Sequence, residues 1–381
     1  VDAGLSLEMP GKGSRLRFKR LKRAYESGRI DAAALDRNVA CLLRVMVLTG
    51  HLDPRQPGQA RRGARNTPEH QALAREMAEA GITLLKNEGR LLPLQPGAVS
   101  RIAVLGPALK RRNCWPLWGG SAGVWPPYEI TPRQGLEREN NGRFQWVRKP
   151  EDADVVLLFV GLSHRPGQDS EGVDRKHMDL SAKQNALIEA TLARNPNTVV
   201  VYVGGSPITM PWIDRVPAVL CAWYPGMEGG AAIARVLMGD VNPAGRLPVT
   251  FPLALADSPA HQSPATYPGV DRVVEYREEL FVGYRHFDRY AIEPLFPFGH
   301  GLSYTEFDYS DLVVEQTPQA LHCRFSVRNA GPCAGAEVAQ LYVAMDDEDA
   351  ERPVKALKGF ARISLAPGAV ESLAIEIPMP E

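Results

Sequence analysis

Val155-Val-Leu-Leu-Phe-Val-Gly161 is an uninterrupted apolar run that reads as a buried strand. What leaves its C-terminal end is a Gly- and Asp-rich loop, Gln168-Asp-Ser-Glu-Gly-Val-Asp-Arg175. Open α/β sheets carry their chemistry on loops at that end of a strand. Glu171 stands beside Gly172, where flexible backbone can present an acid, and Asp169, Asp174 and Arg175 supply charges able to move its pKa either way. A lone carboxyl group so placed suggests a general acid. The competing reading is a solvated loop acid paired with Arg175.

Working outward, Arg101–Gly106, Thr198–Gly204 and Val219–Trp223 read as further strands, and Ser181–Arg194 and Gly229–Met238 as helices. Alternating strand and helix predicts a mostly parallel sheet covered by helices. Upstream, Thr67-Pro-Glu-His70 opens a helix whose apolar spacing carries to about Leu85. Residues 53–66, rich in Pro, Gly and Arg, read as a linker. Before them come a helix around Leu16–Glu26 and another from Asp31, a good N-cap, to Gly50. The segment Gly4–Pro10 has the alternation of a short strand. After Pro-rich connections at Arg246–Pro252 and Pro294–Gly301 the rhythm changes. Leu321–Val327, Glu337–Val343, Lys355–Ile363 and Ala369–Ile377 read as strands of an antiparallel sandwich with too few members to close, and both ends of the chain read as cut.

The 381 residues allow two or three domains. Lys plus Arg and Asp plus Glu are 44 each, so no net field favours nucleic acid or an acidic membrane surface. The basic stretch Lys12–Arg23 alternates with Leu16, Phe18 and Leu21 and reads as a solvated helix face. No apolar run approaches the ~20 residues of a membrane span. Five cysteines without a CxxC pair predict reduced, mostly buried thiols, which favours the cytoplasm, although a removed signal peptide would leave no trace. The eight histidines show no metal-ligand spacing, so neither a metal nor a cofactor is expected. Gly204-Gly-Ser-Pro207 follows a strand as a phosphate-binding turn would, yet it lacks the P-loop lysine, and Pro207 removes a donor. Trp115, Trp118, Trp125, Trp223 and Tyr224 fall in Gly- and Pro-rich connections. Rings in such places suit the C–H faces of a sugar, or plug gaps between domains.

Whole segments carry a stronger signal. Leu5-Ser-Leu-Glu-Met-Pro-Gly11, Ala80-Gly-Ile-Thr-Leu-Leu-Lys-Asn87, Trp118-Gly-Gly-Ser-Ala122, Ser170-Glu-Gly-Val-Asp-Arg175 and Trp223-Tyr-Pro-Gly-Met-Glu-Gly-Gly230 occur in this order. Gly239-Asp-Val-Asn-Pro-Ala-Gly-Arg-Leu-Pro248, Phe281-Val-Gly-Tyr-Arg-His-Phe287 and Phe296-Pro-Phe-Gly-His-Gly-Leu-Ser-Tyr304 follow. In this set the chain resembles the C-terminal two-thirds of a family 3 glycoside hydrolase of the β-glucosidase type. The resemblance implies an α/β sandwich, a mostly parallel sheet flanked by helices, over residues 67–302. It implies that residues 1–52 are the remnant of a TIM-like barrel, 53–66 a linker, and 303–381 an incomplete fibronectin type III-like β-sandwich. Relatives with a sugar-binding insertion carry it where this chain passes directly from Gly135-Leu to Phe144-Gln-Trp.

Members are retaining enzymes with two carboxyl groups ~5–5.5 Å apart. The resemblance makes Glu171 the general acid/base, with Asp169 and Asp174 as rivals, and substrate contacts are expected from Trp118, Ser121, Asp174 and Arg175. Glu8 matches the family segment and is read as structural. The nucleophile, an Asp in a Ser-Asp-Trp motif upstream of Leu-Glu-Met-Pro, has no counterpart here, so the chain is expected to be inactive without the barrel that carries it. Expected substrates are β-linked glucosides or short oligosaccharides. A β-xylosidase or exo-β-glucanase of the same family stays open, as does a non-catalytic sugar-binding or scaffold protein derived from it.

Overall fold

The computed structural model describes residues 1–8, 17–52, 63–114, 124–344 and 352–379. Two units emerge, Val1–Thr67 and Pro68–Glu381. The linker expected at 53–66 lies largely outside the described residues.

In the first unit, α1 (Phe18–Glu26) and α2 (Ala32–Leu48) lie where the periodicity predicts them. Asp31 occupies the N-cap position of α2, but its side chain makes no capping hydrogen bond. The strand expected at Gly4–Pro10 does not form within residues 1–8. Its backbone is used differently, because the Asn38 amide reaches out of α2 to the carbonyls of Val1 at 2.9 Å and Leu5 at 3.5 Å. An extended segment becomes a strand only where a neighbouring strand pairs with it.

The second unit opens with α3 (Pro68–Gly81), which stops short of the expected Leu85. Thr83–Asn87 is instead β1, paired antiparallel with β6 (Ala218–Cys221). Between them run β2 (Arg101–Leu105), α4 (Pro132–Glu139), β3 (Gln145–Val147), β4 (Val155–Gly161), α5 (Ala182–Leu192) and β5 (Thr198–Val203), and α6 (Gly229–Leu237) follows β6. The six strands form one sheet in the order β1-β6-β5-β4-β2-β3, parallel except for β1.

Every residue of β4 is buried. Val155, Leu157 and Phe159 enter one core with Leu136 of α4 and the apolar side of α6, whereas Leu158 and Val160 enter a second with Ile188 and Leu192 of α5. Strand alternation thus feeds two helix layers from one apolar run, which is why the run contains no polar residue. On the α5 side the second core is completed by Trp212, Leu247, Phe251 and Phe296, so the Pro-rich connections pack as part of the domain.

His300 closes that connection. Its Nε2 lies 2.8 Å from the Leu85 carbonyl and its ring stacks on Phe296. Burial holds its pKa below the ordinary 6.5, against the hydrogen bond to Leu85 and with a smaller push from nearby Arg246, so the neutral ring donates to Leu85. Because the unfolded chain takes up this proton at a higher pH than the folded one, the contribution is present above 6.5 and declines as pH falls through that value. Urea midpoints are therefore expected to drop between about pH 8 and about pH 5, with a smaller drop in His300→Asn. Equal drops in both proteins would remove His300 from the effect.

A short helix, α7 (Tyr284–Arg289), precedes the final layer. There β7 (Phe307–Gln316), β8 (Ala320–Asn329) and β11 (Val370–Pro378) form one antiparallel sheet, and β9 (Gly335–Val343) and β10 (Ala356–Leu365) another. The sheets share a core of Phe325, Val327, Ile363, Leu365, Ile375 and Ile377. Four of these strands match the expected ones, and β7 was not foreseen. Arg246 and Glu337 join this layer to the α/β layer through a largely buried ion pair at 2.7 Å. Asn242 adds bonds to the Tyr304 amide, the Ser303 hydroxyl and the Ala334 carbonyl.

All five cysteines are free thiols. Only Cys221 and Cys323 are buried, and Cys41 is exposed, which corrects the expectation that most would be enclosed.

Candidate active site

From β2 the chain runs outward through α4 to β3, then returns past β2 to β4 and continues through α5 to β5 and β6. The connections leaving the carboxyl ends of β2 and β4 therefore diverge, and the crevice between them is the topological switch point where open α/β sheets bind ligands. One connection carries Trp118 and Ser121, which lie outside the described residues together with Trp115. The other carries Glu171.

The β2 connection is fixed on both sides of its undescribed part. Arg111 donates to the Leu162 carbonyl at 2.6 Å, tying it to the end of β4. The buried Glu129 carboxylate accepts from the backbone N–H groups of Asn113 at 2.6 Å and Cys114 at 3.0 Å. Burial, and then the charge of Glu129, push the Cys114 thiol up to about 12, which disfavours the thiolate.

The loop after β4 is held at its root and in its middle. At the root, the Gln184 amide of α5 receives the Gly161 N–H at 2.8 Å and donates to the Gly161 carbonyl at 3.0 Å. Gly161 has φ +152, and a Cβ there would stand 1.8 Å from the Val203 carbonyl oxygen, so no larger residue fits. In the middle, the Asp169 carboxylate accepts from the Gly205 N–H at 2.7 Å, the Ser206 hydroxyl at 2.5 Å and the Tyr224 hydroxyl at 2.9 Å. Burial, then the charge and hydrogen bond of Asp169, raise the Tyr224 phenol above its ordinary value and keep it a donor. The turn Gly204–Pro207, already read as unfit for a phosphate, is filled by the protein's own carboxylate.

Arg175 spends its guanidinium inside the loop, on the Ser206 hydroxyl at 2.7 Å and on the carbonyls of Pro207 at 3.0 Å and Met178 at 2.7 Å. The Asp174 carboxylate accepts from the Tyr267 hydroxyl at 2.6 Å. Between these anchors Glu171 and Gly172, with φ +81, form an exposed turn. Sequence reasoning singled out Asp169, Glu171, Asp174 and Arg175 but gave the anchoring role to none of them. Its signal lies far along the chain, in Ser206, Tyr224 and Tyr267.

The aromatic residues divide. Trp125 is exposed, whereas Trp223 is partly buried against the second core and donates from Nε1 to the Thr83 hydroxyl at 3.2 Å. Trp223 also has φ +55, an uncommon conformation for a bulky residue, at the carboxyl end of β6. Tyr224 packs against the first core and touches His164, with ring centres 4.4 Å apart.

Residues 82–304 match the glycosyl hydrolase family 3 C-terminal domain. The chain belongs to glycosyl hydrolase family 3. Residues 337–381 of this family 3 chain match a fibronectin type III-like domain. It is 38% identical, over 97% of its own length, to thermostable β-glucosidase B of Acetivibrio thermocellus, and 35% identical over 89% to β-glucosidase BoGH3A of Bacteroides ovatus. In each case it spans 50% of the relative, about half the length of these proteins. Among solved structures it resembles β-glucosidase 3B from Thermotoga neapolitana in complex with glucose, with a TM-score of 0.84 and 28% identity over 99% of this chain and 58% of that one. The β-D-glucoside glucohydrolase of Trichoderma reesei gives a TM-score of 0.85 at 29% identity, covering 98% of this chain and 59% of that one.

Proposed function

We propose that the protein containing these residues is a retaining glycosidase that releases terminal β-D-glucosyl groups, with Glu171 as its general acid/base. What supports the reading is the position of Glu171: an exposed turn at the switch point of the sheet, between anchors that occupy Asp169, Asp174 and Arg175, in a family 3 chain whose relatives are named β-glucosidases. Of the two rivals, Asp169 has its carboxylate consumed by three donors and Asp174 accepts from Tyr267. Proton transfer by either of these two carboxylates would disturb a bond that holds the loop.

In the first step the glycosidic C–O bond breaks while the anomeric carbon bonds to an aspartate carboxylate, and the proton of Glu171 passes to the leaving oxygen. In the second, Glu171 takes a proton from water as its oxygen replaces the aspartate. On this reading residues 1–52 are the end of a TIM-like barrel, 53–66 a linker, 67–302 the α/β sandwich domain and 303–381 the fibronectin-like domain. The nucleophile stands on the barrel, upstream of Leu5.

Hydrolysis of p-nitrophenyl β-D-glucopyranoside tests this. The 381 residues alone are expected to release no p-nitrophenol above buffer, and the chain extended upstream through the nucleophile motif to release it readily, since losing the attacking carboxylate removes the covalent route. Turnover by the 381 residues alone would overturn the division of labour between domains. Silence of the extended chain on glucosides, with turnover of xylosides or of neither, would overturn the substrate class.

A further inference from the structure

The loop that carries Glu171 also walls a cavity of about 850 Å³, which Ser170 and Val173 line on either side of it in sequence. Such a volume is that of a small-molecule site. The far walls come from the 248–298 region, with Tyr284 and Phe298 stacked at 5.0 Å and Tyr267 beside His261. Arg285, half-buried in this lining, sits 5.9 Å from the Tyr284 ring centre and makes no hydrogen bond or ion pair with any described residue. Its neighbour cation Arg175 has three acceptors, and the two carboxylates in the lining are engaged by Ser206, Tyr224 and Tyr267 rather than by Arg285.

A half-buried guanidinium without an anion, in a cavity walled mainly by rings and aliphatic groups, is an unfilled half of a charge-assisted pair. We propose that this cavity receives the leaving group of the substrate, and that the leaving group is an aromatic aglycone carrying a carboxylate that pairs with Arg285. The inference rests on Glu171 being the acid, because that residue touches the glycosidic oxygen and the cavity begins at its own loop. The wall that offers Val173, Met178, Val282 and Phe298 also carries Ser170, His177, Ser258 and His261, which a second sugar could use, and it is Arg285 that favours an acid over it.

The test compares 4-carboxyphenyl and phenyl β-D-glucosides in the full-length protein and its Arg285→Met and Arg285→Lys variants. The ratio of kcat/KM for the carboxylated over the plain glucoside is expected to fall about tenfold or more in Arg285→Met and to recover in part in Arg285→Lys. Equilibrium binding of 4-hydroxybenzoate should weaken by a similar factor in Arg285→Met. An unchanged ratio, or equal binding by wild type and Arg285→Met, would overturn the proposal. If wild type cleaves neither glucoside, the reading of Glu171 has failed; 4-hydroxybenzoate binding that depends on Arg285 then still supports the cavity as a site for such acids, and no binding overturns it.

Discussion

Glu171→Gln in the full-length protein is expected to lower kcat/KM on phenyl and alkyl β-glucosides by about a hundred- to ten-thousandfold, the range that positioned proton transfer contributes. On 2,4-dinitrophenyl β-D-glucoside the loss in kcat/KM should stay within about tenfold, because dinitrophenolate departs without a proton and kcat/KM reports the step in which it leaves. The basic limb of the pH profile on the phenyl glucoside should disappear with the carboxyl group. Equal losses on both substrates would make Glu171 a binding residue, and no loss on either would remove it from the site. Asp169→Asn distinguishes the two kinds of carboxylate in this loop. Its effect should not depend on the leaving group, since Asp169 contacts Gly205, Ser206 and Tyr224 and acts by holding the loop.

Gly230→Val should cause a large loss of stability in the α/β layer. Gly230 lies in the first turn of α6, where its N–H donates to the Ile130 carbonyl at 3.0 Å. A Cβ there would stand 2.2 Å from the Thr131 carbonyl oxygen, and one on Gly135 of α4 would stand 1.9 Å from the Gly230 carbonyl oxygen. Both obstacles are backbone, so α4 and α6 would have to separate and open the core around Leu136 and Ile233. Overpacking ordinarily costs about 1–3 kcal/mol, and with three atoms added against rigid backbone the upper end or beyond is expected. Urea unfolding followed by tryptophan fluorescence checks this, and a midpoint within error of wild type would show that the two helices are not held in contact.

What the sequence made legible follows from where the determining contacts lie. The strands β4 and β5 announce themselves because burial on both faces makes them nearly continuous apolar runs. Thr83–Asn87 does not, since Leu84 and Leu85 continue the apolar spacing of α3, and only the pairing with Leu220 and Cys221, more than a hundred residues on, makes it a strand. Within residues 1–8 the expected N-terminal strand has no pairing neighbour, and the Asn38 amide meets the Leu5 carbonyl instead. In β7 nearly every position is exposed and Asp311 has φ +57, so the alternation that marks a strand is broken by a bulge. The position of Glu171 could be read from a strand followed by a Gly-rich loop. The anchors could not, because Ser206, Tyr224 and Tyr267 reach the loop through folding alone.

The most direct test of the central claim is the product formed by Glu171→Ala from 2,4-dinitrophenyl β-D-glucoside in the presence of azide. With the carboxyl group gone, a small anion can enter its place and attack the glycosyl-enzyme without general-base help. The account predicts faster turnover with added azide and β-D-glucosyl azide as the product, the configuration that two successive inversions require. Absence of acceleration, or the α-anomer as product, would contradict it.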